Sequence, residues 1–148
     1  HVDAWQWRPD LIWFNNLNIV KTPNYYVQQL YGHNAGTNVL PLTMNKEAVT
    51  GQSELFATAA LDKGTNELII KIVNTGIQSK KIQLNLNGIS SGKHKGKLMV
   101  LHASYLEAKN TLGKPETVIP IESAVELEAP ATEVSVQPLS FLVYRISL

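Results

Sequence analysis

An all-β fold, an antiparallel β-sandwich of jelly-roll type preceded by one strand and one helix, is what this sequence predicts. From residue 37 onward, apolar residues recur at every second position in short runs. The cleanest is "KKIQLNLN", where Ile82, Leu84 and Leu86 alternate with Gln83, Asn85 and Asn87. Such alternation marks a strand with one buried and one wet face. Turn residues separate the runs, and many short strands punctuated in this way argue for a sandwich. A helical period occurs once, near the N-terminus.

The first element is the apolar run 11–14 after Pro9, which reads as a buried strand. "TPNYYVQQLYG" follows as a helix. Thr22 suits its N-cap, Pro23 its first turn and Gly32 its end. Tyr26 with Leu30, and Val27 with Tyr31, stand four residues apart and form one apolar face. A strand followed by a capped helix is half of a β/α repeat. In the next strand Leu55, Ala57, Ala59 and Leu61 line one side. After a turn at 63–66, Leu68, Ile70 and Ile72 line another, so the pair reads as a hairpin. Further strands are expected at 97–103, 117–121, 125–128, 133–137 and 141–146, while the lysine cluster 93–97, broken by Gly96, reads as a loop. The boundary falls at 34–38, which gives a strand–helix unit over 1–36 and a sandwich over 37–148.

Composition narrows the function. At 148 residues the chain suits one domain with a real core. The formal net charge is +1 and no basic run stands out, which argues against a nucleic-acid partner. Cysteine is absent, so disulfides and cysteine-based metal sites or nucleophiles are excluded. No apolar run approaches the ~20 residues of a membrane span. The chain starts at His1 rather than Met and shows no signal-peptide pattern, so a processed chain or a piece of a longer one is expected.

Residues that could carry chemistry are few. His1, His33, His94 and His102 are not spaced as a metal pair; satisfied or exposed rings are expected, with no metal and no cofactor. No serine sits in a nucleophile elbow, and Asn87-Gly88 before Ser90, Ser91 and Gly92 is a turn rather than a phosphate cradle. Glu122, Glu126 and Glu128 lie close together, but Glu126 and Glu128 alternate with Val125 and Leu127, as on a solvated strand face. Catalytic residues are therefore expected to be none. Trp5, Trp7 and Trp13 share one side of an extended chain and could form a sugar platform, since the C–H face of a sugar ring stacks on an indole. Trp13 sits in the apolar run beside Ile12 and Phe14, where core or interface packing is the default, which leaves Trp5 and Trp7 as the platform residues.

"WRPDLIWFNN" followed by "TPNYYVQQLYGHNAG" closely resembles the end of the catalytic barrel in the α-L-arabinofuranosidases of glycoside hydrolase family 51. Asn110, Pro115, Val118 and Pro120 in "NTLGKPETVIP" match a downstream family segment, and "LSFLVYRI" is similar to its terminal strand. The resemblance implies a (β/α)8 barrel whose last strand and helix open this chain, followed by the C-terminal β-sandwich. It implies a parent that removes terminal α-L-arabinofuranosyl residues from arabinan or arabinoxylan with retention, through two glutamates. Both lie on barrel strands before this segment, so no catalytic residue carries over. Asn15 stands where the family usually has Asp, one charge fewer at the C-terminal end of the presumed barrel strand.

The chain alone is expected to be inactive and structural, with its own barrel as partner. A carbohydrate-binding module using the tryptophans and a domain that forms homo-oligomers are the alternatives. Export or the periplasm is expected ahead of the cytoplasm for a parent acting on cell-wall polymers. The strand at 11–14 is expected to dock on the sandwich or pair with another chain, burying Trp5, Trp7 and Trp13.

Overall fold

The structure, a computed structural model, describes residues 11–148. The expectations for His1, Trp5 and Trp7 therefore lie outside the described residues. The chain runs through β1 (Ile12–Phe14), β2 (Ile19–Lys21), α1 (Pro23–His33), β3 (Asn38–Leu40), β4 (Thr43–Met44), β5 (Glu47–Ala48), β6 (Leu55–Asp62), β7 (Glu67–Asn74) and β8 (Lys80–Asn85). It continues through β9 (Gly92–His102), β10 (Pro120–Ala129), β11 (Ala131–Val136) and β12 (Ser140–Ser147). Six strands form the principal sheet in the order β10-β9-β12-β7-β6-β3, every neighbour antiparallel. The β8–β11 pair makes a second layer.

The first face of the principal sheet follows from period-two patterning. Antiparallel register sets Leu68 opposite Ile146, Ile70 opposite Tyr144 and Ile72 opposite Leu142. These six side chains therefore stand together on one face and pack with Leu127 against Leu86, Val134 and Val136. The second face carries Ile69, Val143, Phe141 and Leu101, which bury Leu30 of α1 and Val118. Strands β7 and β12 are covered on both faces, and their sequences accordingly read "LIIKIV" and "FLVYRI", nearly continuous runs rather than alternations.

The hairpin expected around 55–72 is β6–β7, with Asp62 opposite Glu67 at its turn, and 80–85 is β8. Other expectations need correction. The lysine-rich 93–97 is strand, because β9 pairs with β10 along ten residues from Gly92 to His102's neighbour Leu101. Its lysines alternate outward, and Gly96 is required there: a Cβ would stand 2.0 Å from the Arg145 carbonyl oxygen of β12. Segments 117–121 and 125–128 contribute to a single strand, β10, rather than forming two. Helix α1 ends past Gly32, at His33, and its cap is Asn34. The run 11–14 forms β1, but it pairs antiparallel with the overlooked β2 and is not buried. A two-stranded hairpin covers only one of its faces, so Trp13 and Val20 pair inward while Ile12, Phe14 and Ile19 face out. The N-terminal unit is thus strand–strand–helix, not half of a simple β/α repeat. Strands β3 to β5 are two or three residues long, too short for periodicity to reveal.

Candidate functional site

Helix α1 lies across the second face of the sheet and creates the cleft that is the candidate site. Its start is fixed by Thr22, whose Oγ1 accepts from the Tyr25 N–H at 3.2 Å and donates to the Leu11 carbonyl at 3.0 Å. One residue thus caps the helix and ties it to the β1–β2 hairpin. At the other end the buried Asn34 side chain donates to the Leu30 carbonyl at 2.8 Å, satisfying a terminal carbonyl of the helix. Tyr31 stacks on Phe141 with centroids 4.8 Å apart, and the Lys71 ammonium lies 4.7 Å over the same tyrosine ring. Burial holds the Lys71 pKa below the usual lysine range.

Arg145 of β12 is the hub of the cleft. Its Nη2 contacts Glu67 Oε2 and donates to Asp62 Oδ2 at 3.2 Å and Thr65 Oγ1 at 3.3 Å, while Nε reaches Glu67 at 3.0 Å. Its Nη1 donates to Asn34 Oδ1 at 3.3 Å. The guanidinium fork thereby joins the last strand, the β6–β7 turn and the helix terminus. Hydrogen bonding to Arg145 holds the Glu67 carboxyl below the ordinary glutamate range, against the opposing effect of burial. For Asp62, burial raises the pKa, but bonds from the Gly64 N–H, Thr65 and Arg145 outweigh it and the net shift is downward.

Asp62 and Glu67 are two carboxylates sharing one arginine, so they must be tested against retaining glycoside hydrolysis, which places two carboxyl groups ~5 Å apart. That chemistry needs one carboxyl with a raised pKa to donate a proton. Both groups here are shifted the other way and committed to Arg145, so the pair is an ion-pair network and supplies no general acid. Glu122 and Glu126 sit on β10 and bridge to Lys97 at 2.8 Å and Lys93 at 2.9 Å, and Glu128 is exposed beside them. Among the described residues no group of three or more histidines, aspartates and glutamates is placed to hold a metal ion. The two ring nitrogens of His94 meet the carbonyls of Ser90 and Ser147 at 2.8 and 3.1 Å, a structural use of the ring. His102 lies on the same strand, β9, and His33 ends α1.

Two residues singled out by motif prove to be turn-makers. Asn15 Oδ1 accepts from the Leu17 and Asn18 N–H groups at 2.9 and 2.7 Å, closing the β1–β2 hairpin. An Asp oxygen could accept the same bonds. The buried Asn110 side chain donates to the Lys21 and Val118 carbonyls at 2.8 and 2.9 Å and accepts from the Val118 N–H at 2.7 Å. It pins the 103–119 loop to itself and to the end of β2. Sequence reasoning missed Arg145 and its partners. The one available signal was a charge inside the apolar run "FLVYRI", which demands a counter-charge but does not say which.

The cleft between α1 and the sheet has a volume of about 560 Å³ and is lined by Tyr26, Gln29 and His33 from the helix and by Glu67, Lys97, Met99, Pro120, Glu122 and Arg145 from the sheet. Fold and site together define a β-sandwich domain carrying one docked helix, without an assembled acid–base pair among the described residues. The family model described as the alpha-L-arabinofuranosidase C-terminal domain matches residues 1–140, and the chain belongs to that family.

Alpha-L-arabinofuranosidase 1 of Arabidopsis thaliana is 30% identical over 142 residues, covering 92% of this chain but 20% of the relative. A probable alpha-L-arabinofuranosidase A of Aspergillus flavus is 33% identical over 127 residues, 84% of this chain and 18% of its own length. The chain therefore spans about a fifth of the curated relatives it matches. Among solved structures, an arabinose-bound GH51 α-L-arabinofuranosidase, MgGH51, superposes with a TM-score of 0.85 at 24% identity over 99% of this chain and 22% of that one. An α-L-arabinofuranosidase from Thermotoga maritima in complex with arabinose gives 0.81 at 20% identity, covering 93% of this chain and 31% of that one. At these identities the superpositions establish the shared fold.

Proposed function

We propose that this chain is the non-catalytic C-terminal domain of an α-L-arabinofuranosidase, and that it acts as a structural partner for the catalytic (β/α)8 barrel of a longer enzyme. That enzyme releases terminal α-L-arabinofuranosyl residues from arabinan or arabinoxylan with retention. The match of the C-terminal domain family across residues 1–140 carries the reading. The N-terminal unit supports it. Phe14, Leu17 and Ile19 are 57%, 90% and 69% exposed on the outward side of the hairpin, which no described residue covers. The Trp13 ring N–H is buried and has no acceptor among the described residues. An adjoining barrel strand would cover the apolar face, and the buried Trp13 donor on the opposite face calls for a partner of its own. In this reading residues 1–36 close the barrel and 37–148 form the appended sandwich.

The carbohydrate-platform alternative gains nothing from Trp13, which pairs with Val20 on the covered side of the hairpin. Incubating the chain with a nitrophenyl α-L-arabinofuranoside tests the proposal. No release of nitrophenol above buffer is expected, and hydrolysis that persists through repurification and co-elutes with the chain would overturn the non-catalytic assignment.

A further inference from the structure

The cleft under α1 is built unlike the rest of the second face. Tyr26, Gln29 and His33 follow one helical stripe at intervals of three and four residues and line it with side chains that carry polar groups. The Tyr26 hydroxyl, the Gln29 amide and the His33 ring make no hydrogen bond to a described residue, in contrast to the fully engaged Arg145. Across the cleft, Glu122 commits one oxygen to Lys97 and keeps the other. Leu30, Met99 and Pro120 give the cleft an apolar floor.

We propose that this cleft binds a short neutral oligosaccharide. Charge decides the class: Lys97 and Arg145 are balanced by Glu67 and Glu122, so the walls favour neither an anion nor a cation. An apolar ligand would desolvate the amide, hydroxyl and carboxylate groups without replacing their hydrogen bonds. A sugar offers hydroxyls to those groups and a C–H face to the apolar floor. The volume, about 560 Å³, falls within the ~300–1,000 Å³ usual for small-ligand sites. The site is remote in sequence from the tryptophans and needs none of them.

Titration calorimetry on the 148-residue chain, with arabinotriose, xylotriose, maltotriose and trigalacturonate as probes, tests this. The choice of pentose probes rests on the proposed parentage, whereas the cleft itself asks only for a neutral sugar. At least one neutral trisaccharide is expected to bind saturably and to shift the amide resonances of residues 26–33 and 97–99. Gln29→Ala and Tyr26→Phe should each weaken that binding by ~5-fold, the worth of one hydrogen bond, with melting temperature unchanged and with Lys81→Ala as a silent control. Binding of maltotriose alone would uphold the cleft, which asks only for a neutral sugar. Failure of all three neutral sugars, equal binding of trigalacturonate, or indifference to both variants would overturn the proposal.

Discussion

The two faces of the principal sheet bury similar strands by different means. On the first, apolar residues from β7, β12 and β10 meet those of β8 and β11, and all thirteen core residues of that cluster are nine-tenths or more buried. On the second, one helix covers the centre of the sheet with Leu30 and Tyr31, and the margin is held by Arg145, Glu67, Asp62 and Asn34. Packing against a second sheet buries that cluster throughout. Covering by a single helix leaves a polar cleft along its flank. The polar cleft lies on the face that a single helix covers.

Truncating each face should expose that difference. Ile72→Ala removes a side chain that is 1% exposed in the sealed layer, and should cost ~3–4 kcal/mol in urea denaturation. Leu30→Ala, at the helix seam, should cost ~2 kcal/mol, because a cavity at an open margin relaxes more easily. Equal costs would break the comparison. Arg145→Met should cost ~1–2 kcal/mol at neutral pH after solvent screening is allowed for. Its more specific signature is in pH. Glu67 and Asp62 have folded pKa values below their unfolded ones, so their contribution is present above the unfolded values and disappears as pH falls through the folded ones. The parent should therefore lose stability on acidification below the ordinary carboxylate range, and the variant should lose less. An unchanged acid profile would remove Arg145 from the account. The smallest effect belongs to Glu126→Gln on the exposed rim, whose pair with Lys93 is open to water; thermal melts of parent and variant should coincide.

Alternation made the sealed face legible in the sequence, since residues 82–86 and the 55–72 hairpin need only local pattern to declare their inward side. The strand nature of 93–97 was obscured because lysine and glycine locally resemble a turn, although Lys93, Lys95 and Lys97 occupy alternate positions that are all exposed. Strand β2 offers three residues, too few to show a period, and without it the outward face of β1 read as buried. The cleft was the least legible feature. Its polar groups come from α1, β7, β9, β10 and β12, and no local window contains more than the helical stripe. Asn110 stood out through the family motif, and only the structure shows that it clamps a loop.

The exposed apolar hairpin, Leu30's helix and the sandwich together support the proposal that this chain is a structural domain completed by a barrel. The direct measurement is to fuse the chain to the catalytic barrel of a relative in place of that enzyme's own C-terminal portion, and to follow thermal unfolding and arabinofuranoside hydrolysis together. The account predicts that the fusion is soluble, hydrolyses the substrate and melts higher than the barrel alone. A barrel that is equally stable and equally active without the chain would contradict it.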